Sequence, residues 1–126
     1  MISLWLPVAM CMAAIYYGAA SPDPAITETI DYWLSDTLLH AGDYAVLALL
    51  TLRATAMGRW AGLTGTALVT AFAISMAHGL SVEWMQMYVP TRFAEWRDVW
   101  NDAAGAALGL GAAWAWGRMR RKSHDL

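Results

Sequence analysis

Charge is scarce in this chain of 126 residues. Only 14% of the residues are charged and 59% are hydrophobic, whereas soluble domains average roughly 25% and 45–50%. The sequence has no acid-rich or base-rich domain of the kind that binds nucleic acid, so we expect no nucleic-acid partner. The composition instead predicts an all-α protein embedded in a membrane.

Cysteine is nearly absent, because Cys11 stands alone and excludes an intramolecular disulfide. The sequence also lacks Gly/Ser linkers, low-complexity tracts, solenoid repeats and sequential metal motifs such as H-E-x-x-H. Its length suits one domain. We therefore predict a single transmembrane domain over residues 1–126, with no cofactor and no metal. A divalent metal held by His40, Glu83, Asp98 and Asp102 stays open as a less favoured alternative.

Four apolar stretches predict four membrane spans, at about residues 1–20, 37–57, 61–82 and 99–117, before a basic tail at 118–126. Twenty helical residues reach about 30 Å, the thickness of the hydrocarbon core. The first stretch lacks a basic start, which favours a retained span. The small residues at 18–20 leave a cleaved signal peptide open.

Basic residues predict the orientation of the bundle. Two flank the turn between the second and third spans, and four lie in the tail: Arg53, Arg59, Arg118, Arg120, Arg121 and Lys122. The positive-inside rule then places both termini in the cytoplasm. We predict a multi-pass four-helix bundle in the bacterial cytoplasmic (inner) membrane.

Polar residues gather at the opposite end. Asp36, His40 and Tyr44 are spaced four apart, on one face of the second span. Glu83 and Gln86 lie three apart at the exit of the third span. Together they predict two walls of an outward-facing polar site.

Asp98 and Asp102 supply a third wall at the entry of the fourth span. Charged groups near the bilayer centre cost about 2.5–3.5 kcal/mol, so Asp102 should face the bundle rather than lipid. Gly105 and Gly109 continue the same face and predict a close approach by a neighbouring helix, most simply the second span.

Each polar residue also has a purely structural interpretation. Asp98 suits a helix N-terminus, and Glu83 could pair with Arg92 to close the loop. His78 is predicted to make a helix–helix hydrogen bond on a different face. Arg97, like Glu95, is predicted to lie at the surface. The tryptophans are predicted to form interfacial belts at both membrane surfaces.

Two motifs resemble the VanZ-like family, over roughly residues 36–109. SDTLLHAGDYAVLALL resembles its D-K-x-x-H-x-x-[x/E]-Y-x-x-L opening, and VEWMQMYVPTRFAEWRDVWNDAAGAALG resembles E-x-x-Q-x-x-x-P-x-R followed by D-x-x-x-[ND]-x-x-G-x-x-x-G. Thr37 stands where the family often has lysine. The matching residues are Asp36, His40, Tyr44, Glu83, Gln86, Pro90, Arg92, Asp98, Asp102, Gly105 and Gly109.

This family is named for a small membrane protein that raises resistance to the glycopeptide antibiotic teicoplanin. The resemblance implies a ligand-binding site made by eight polar residues: Asp36, His40, Tyr44, Glu83, Gln86, Arg92, Asp98 and Asp102. The expected ligand is a membrane lipid or cell-envelope precursor, with Arg92 on an anionic headgroup. A homo-oligomer stays open.

Two other functions remain open at this stage. The protein could be a membrane enzyme acting on a lipid-linked phosphate substrate, with His40, Glu83 and Asp98 as catalytic candidates. It could also be a structural membrane subunit, in which the same polar residues only hold the bundle together.

Overall fold

The computed structural model describes residues 1–20, 30–60, 62–89 and 96–125, and these form four α-helices without a β-strand. The helices are α1 (Ile2–Ala20), α2 (Ile30–Thr55), α3 (Gly65–Gln86) and α4 (Trp96–Asp125). The prediction of an all-α, four-helix fold is confirmed.

The ends of the helices differ from the predicted spans. α2 begins at Ile30 rather than at residue 37, and α3 runs from Gly65 to Gln86 rather than from 61 to 82. α4 continues through most of the predicted basic tail to Asp125. Hydropathy locates only the apolar part of a helix, whereas the backbone hydrogen bonds continue into polar residues of good helix propensity.

α2 packs most extensively against α4, and these two helices run parallel. Gly105 of α4 faces Ala41 of α2, and Gly109 faces Ala45, so the residue numbers rise together along the contact. The pair forms the centre of the fold and fixes the register of the polar residues above it.

α1 and α3 also run parallel, and side chains of α3 hydrogen-bond to the backbone of α1. His78 bonds to the Met12 carbonyl oxygen and Gln86 to that of Ala19. Consecutive helices are therefore antiparallel. The C-terminal ends of α1 and α3 lie beside the N-terminal parts of α2 and α4.

The turn after α2 uses left-handed backbone conformations at Met57 (φ 54°) and Gly58 (φ 76°). α3 then starts at a side-chain cap, because Thr64 Oγ1 accepts a hydrogen bond from the Ala67 amide at 3.1 Å. This cap satisfies one of the amides that a helix N-terminus leaves without an intrahelical partner.

Two apolar clusters hold the helices together. The larger joins α2, α3 and α4 through residues that are mostly small: Ala48, Leu52, Ala67, Ala71, Ala106, Leu110 and Ala113. The smaller joins α1 to α2 through Val8, Tyr44, Leu47 and Ala54. Small side chains let the helices approach closely, which suits packing inside a membrane.

Large apolar side chains cover the outside of the molecule. Six that are more than half exposed come from all four helices: Leu6, Met10, Leu38, Val46, Val69 and Leu108. Apolar surface on this scale marks contact with a membrane or a partner. α1 and α3 are each long and apolar enough to cross a membrane. α2 and α4 contain more charged residues. Within the described residues, neither is apolar enough to meet the same length and hydropathy criterion for a membrane span.

Candidate functional site

The site is organised around a hydrogen bond between α2 and α4. His40 Nδ1 lies 3.0 Å from Asp102 Oδ1. Asp102 is almost completely buried, at 1% exposure, whereas the His40 side chain is 19% exposed. A carboxylate can only accept, so His40 Nδ1 carries the hydrogen and donates it. Hydrogen bonds to charged groups are worth about 1.5–3 kcal/mol.

The register of α2 against α4 depends on glycine directly below this bond. A Cβ atom on Gly105 would lie against the Ala41 carbonyl oxygen and 2.6 Å from Ala41 Cα. One on Gly109 would lie 3.1 Å from the Ala45 carbonyl oxygen. The predicted close approach of the second and fourth helices is confirmed.

A second chain of hydrogen bonds links α2, α3 and α1. Tyr44 Oη lies 3.0 Å from His78 Nδ1, and His78 Nε2 lies 3.1 Å from the Met12 carbonyl oxygen. A carbonyl oxygen only accepts, so His78 donates from Nε2. In a neutral imidazole Nδ1 then accepts, and Tyr44 donates to it.

The helix–helix hydrogen bond predicted for His78 is therefore present. Its partner is Tyr44, one of the predicted ligand-binding residues, so His78 contacts the predicted site although it lies on a different face of α3 from Glu83. The angle around α3 separates His78 from Glu83, but it does not separate His78 from Tyr44 on α2.

α3 brings a glycine and two buried polar side chains to the same end of the bundle. A Cβ atom at Gly79 would lie 3.1 Å from Asp102 Oδ2 and 3.3 Å from Tyr44 Cε1. Glu83 is buried one turn further along. Gly79 thus allows the Tyr44 ring and the Asp102 carboxylate to pack directly on the α3 backbone.

Gln86 ends this row, at 4% exposure. Its Nε2 donates to the Ala19 carbonyl oxygen at 3.3 Å. Its Oε1 is buried with no hydrogen-bond partner among the residues that the structure describes. A buried acceptor left in that state costs about 1–3 kcal/mol.

The start of α4 carries Asp98 in its first turn, buried at 7% exposure. Its position still allows the helix-terminus role, because an acid there interacts favourably with the helix dipole. Arg97 was predicted to lie at the surface; it is partly exposed, and its Nε is buried. Nearby, Asn101 Nδ2 donates to Thr37 Oγ1 at 3.4 Å.

A cavity of about 280 Å³ opens between α1, α2 and α3 at this end. Its polar lining comes from His40, Asp43, Tyr44 and Gln86, and α1 supplies apolar lining around Ile15. Three of these four polar residues belong to the predicted site.

The structure thus brings together six of the eight predicted ligand-binding residues at one end of the bundle: His40, Tyr44, Glu83, Gln86, Asp98 and Asp102. Asp36 lies in α2, but its side chain is outside the described part of the chain. Arg92, Glu95 and Pro90 lie outside the described residues. A role in ligand binding stays a prediction for all eight.

The predicted ligand set omits four contributors to this end of the bundle: Asp43, His78, Gly79 and the carbonyl of Met12. The sequence signals two of them. Asp43 is three residues from His40 and therefore shares its helix face, and Gly79 continues the row of small residues Ala67, Ala71 and Ser75. The backbone carbonyl gives no signal in the sequence.

Metal binding has no ready geometry in the described part of the chain. No group of three or more His, Cys, Asp or Glu side chains there is arranged to hold an ion. The His40–Asp102 pair is a two-residue contact that orients an imidazole.

Comparison with known protein families shows to which family the chain belongs. The family model described as VanZ/LLP1 matches residues 9–117, which includes all the buried polar residues of the site. The chain belongs to the VanZ/LLP1 family. No curated protein and no solved structure matches it. The resemblance expected from the two sequence motifs is therefore confirmed over nearly the whole chain.

Proposed function

We propose that this VanZ/LLP1 protein is a four-span protein of the bacterial cytoplasmic membrane that binds the headgroup of a lipid or lipid-linked envelope precursor at its outer end. One observation carries the proposal. Buried polar side chains from three helices meet around the His40–Asp102 bond, beside a cavity that they partly line.

The surface supports a membrane location. Exposed tryptophans lie near both ends of α4, at Trp96 and Trp100 and at Trp114 and Trp116. Twenty residues of helix from Trp96 to Trp116 extend about 30 Å, which matches the hydrocarbon thickness. Exposed tryptophans at that spacing suit the two interfacial belts of a membrane protein.

The charges support the orientation with both termini in the cytoplasm. Arg59 and the basic end of α4 lie at the end of the bundle opposite His40 and Asp102. At the basic end, Arg118 stacks over Trp114 at 5.0 Å and Arg120 over Trp116 at 5.5 Å. Cytoplasmic loops carry the excess of Lys and Arg, so the polar site faces outward.

Cysteine labelling tests this topology. In a Cys11→Ser background, Tyr88→Cys and Met119→Cys each place a thiol at an exposed position, at opposite ends of the bundle. A membrane-impermeant maleimide should label Tyr88→Cys in spheroplasts and Met119→Cys only after lysis. The reverse pattern would place the polar site on the cytoplasmic side of the membrane. Labelling of both variants in intact spheroplasts would contradict a bundle embedded in the membrane.

The cost of assembling the site supports a role in binding rather than in packing alone. Apolar residues of similar size often stabilise a core as well as buried charged pairs do. Packing also does not require a cavity with four polar side chains in its lining. Membership in a family named for a teicoplanin-resistance protein suggests that the headgroup belongs to the cell envelope.

Lipid retention tests the binding role. The protein is purified in mild detergent, and the retained lipid is measured by mass spectrometry in wild type, His40→Ala and Arg92→Ala. Arg59→Ala is the matched control, because Arg59 is exposed at the opposite end. Loss of lipid in the first two variants alone supports the site. Loss of folded protein without a specific loss of lipid would show that these residues only stabilise the bundle.

Teicoplanin susceptibility tests the biological role separately. Cells that produce the wild-type protein should tolerate more antibiotic than cells that produce His40→Ala at equal membrane abundance. Equal tolerance would show that resistance does not depend on His40, and it would leave the headgroup-binding proposal standing.

A second candidate is an enzyme acting on a lipid-linked phosphate substrate, and the His40–Asp102 bond favours it. Asp102 fixes Nδ1 of His40 as the protonated nitrogen, which makes Nε2 the basic one. Turnover of a lipid-linked pyrophosphate in proteoliposomes that disappears in Asp102→Asn would support this activity. Turnover at the same rate in His40→Ala would exclude the proposed base.

A further inference from the structure

The end of the bundle opposite the polar site is strongly basic. The segments 44–82 and 103–126, which lead to this end, contain six of the eight Lys and Arg residues of the chain. The same segments contain one of its ten acidic residues, Asp125. The positive charge at this end is therefore mostly left without acidic residues to neutralise it, and it suits an anionic partner.

Two arginines at this end stack on tryptophan rings. Arg118 Cζ lies 5.0 Å from the ring centre of Trp114, and Arg120 Cζ lies 5.5 Å from that of Trp116. In each pair the residues are four apart, so they are neighbours along one side of α4. The face of an indole ring attracts a guanidinium group. Stacking restricts the arginine while the N–H donors on the edge of its planar group stay directed outward.

The two pairs lie on opposite sides of α4. A helix turns by about 100° per residue, so Trp114 and Trp116 are about 200° apart around its axis. Gly117 lies on the shorter arc between them and faces the turn after α2, because a Cβ atom there would lie 2.6 Å from the Trp60 carbonyl oxygen. This contact fixes the rotation of α4. Both tryptophans and both arginines are exposed.

The arginines lie at the depth of lipid headgroups in the membrane position proposed above. They follow Trp116 by two and four residues, which is about 3 and 6 Å along the helix axis. The headgroup region adds roughly 5–8 Å on each side of the hydrocarbon core. The guanidinium groups are therefore level with lipid phosphates. A soluble polyanion would not reach the tryptophans at that depth, so a lipid fits both members of each pair.

We propose that the pairs Arg118–Trp114 and Arg120–Trp116 each bind the phosphate of an anionic phospholipid in the cytoplasmic leaflet. The phosphate accepts hydrogen bonds from the guanidinium edge, and the indole ring packs at the boundary of the acyl chains. Arg59 and Lys122, which are also exposed, favour a headgroup of net negative charge over a zwitterionic one. This inference rests on the proposed membrane orientation and is independent of headgroup binding at the outer end.

Native mass spectrometry of the purified full-length protein tests the inference with two lipids of matched acyl chains. A glycerol-headgroup lipid is anionic, and a choline-headgroup lipid is zwitterionic. A basic residue near an anionic surface strengthens binding by about fivefold. Arg118→Gln/Arg120→Gln keeps the length and the helix propensity of both side chains. It should reduce the preference for the glycerol lipid by about fivefold for each arginine removed.

Two further double variants separate stacking from charge. Arg118→Lys/Arg120→Lys keeps both charges without the planar group, and Trp114→Leu/Trp116→Leu keeps both arginines without the rings. Each should lower the preference by less than the glutamine variant does, whereas Met119→Gln, at an exposed position between the arginines, should leave it unchanged. If the leucine variant lowers the folded yield, the lysine variant still tests the stacking. A full preference in the lysine variant overturns the binding role of the stacked pairs.

The remaining outcomes separate this inference from the proposed function. Equal binding of the two lipids by the wild-type protein overturns the inference, as does a preference that survives Arg118→Gln/Arg120→Gln. Neither result affects the outer site, because His40→Ala should reduce lipid retention without changing the preference for the glycerol lipid. A preference that depends on the arginines, together with lipid retention unchanged in His40→Ala, supports the inference and contradicts the outer site. Labelling of Met119→Cys in intact spheroplasts overturns the inference together with the proposed orientation.

Discussion

The contact between Gly105 and Ala41 predicts how one methyl group disturbs both the fold and the site. In Gly105→Ala, the new Cβ atom meets the Ala41 carbonyl oxygen and lies 2.6 Å from Ala41 Cα. Ordinary carbon–carbon contacts are about 3.5–4.0 Å. α2 must therefore move by about 1 Å or more at a point adjacent to His40.

The expected cost follows from overpacking. Forced insertion of a methyl group into a packed core typically costs about 1–3 kcal/mol. Alanine itself favours a helix over glycine by about 0.5–1 kcal/mol, which offsets part of that cost. Because α2 moves at Ala41, the 3.0 Å bond between His40 and Asp102 should also lengthen.

Gly111→Ala is the matched control on the same helix, because a Cβ there meets nothing within 4 Å. Thermal unfolding in detergent, followed by tryptophan fluorescence, should show a lower midpoint for Gly105→Ala and an equal or higher midpoint for Gly111→Ala. Lipid retention should fall only in Gly105→Ala. A Gly105→Ala protein as stable as Gly111→Ala would refute the close packing of α2 on α4.

Three further predictions concern the hydrogen bonds of the site. Gly79→Ala places a Cβ 3.1 Å from Asp102 Oδ2. It should reduce the amount of lipid retained while the unfolding midpoint falls only slightly. Unchanged lipid retention would contradict that placement. Tyr44→Phe removes the donor to His78 and should lower the free energy of unfolding by about 1–3 kcal/mol, measured by denaturant titration; a neutral effect would exclude the bond. His40→Ala and Asp102→Asn should each destabilise by about 1.5–3 kcal/mol, and their double variant by less than the sum; strict additivity would show that the two side chains do not interact.

The fold was largely predictable because membrane helices leave a simple signal. Long apolar runs gave the number of helices, and the spacing of Gly105 and Gly109 gave the face that α2 packs against. The helix ends were not predictable in the same way. Residues beyond Gly117 are polar, yet they extend α4 to Asp125 because their helix propensity is high.

The site was predictable where it follows helical spacing. His40 and Tyr44 share a face of α2, and Asp102 lies one turn from the predicted glycine contact, so their convergence follows from the register. The role of His78 depends on the relative rotation of α2 and α3. No pattern within one helix encodes that rotation, so the contact of His78 with Tyr44 was not predicted.

The partial burial of Arg97 shows another limit of sequence reasoning. Charge and position beside the apolar span indicate a surface residue, because an arginine usually keeps its guanidinium in water. Its Nε is nevertheless buried at the start of α4. Packing of the first turn of a helix depends on the path of the preceding chain, which hydropathy does not report.

A crystal structure of the protein purified with its native lipids tests the central claim most directly. The proposal predicts density for a lipid headgroup in the cavity between α1, α2 and α3, beside His40 and Asp43. A cavity that holds only water, with lipids confined to the apolar outer surface, would contradict headgroup binding at this site.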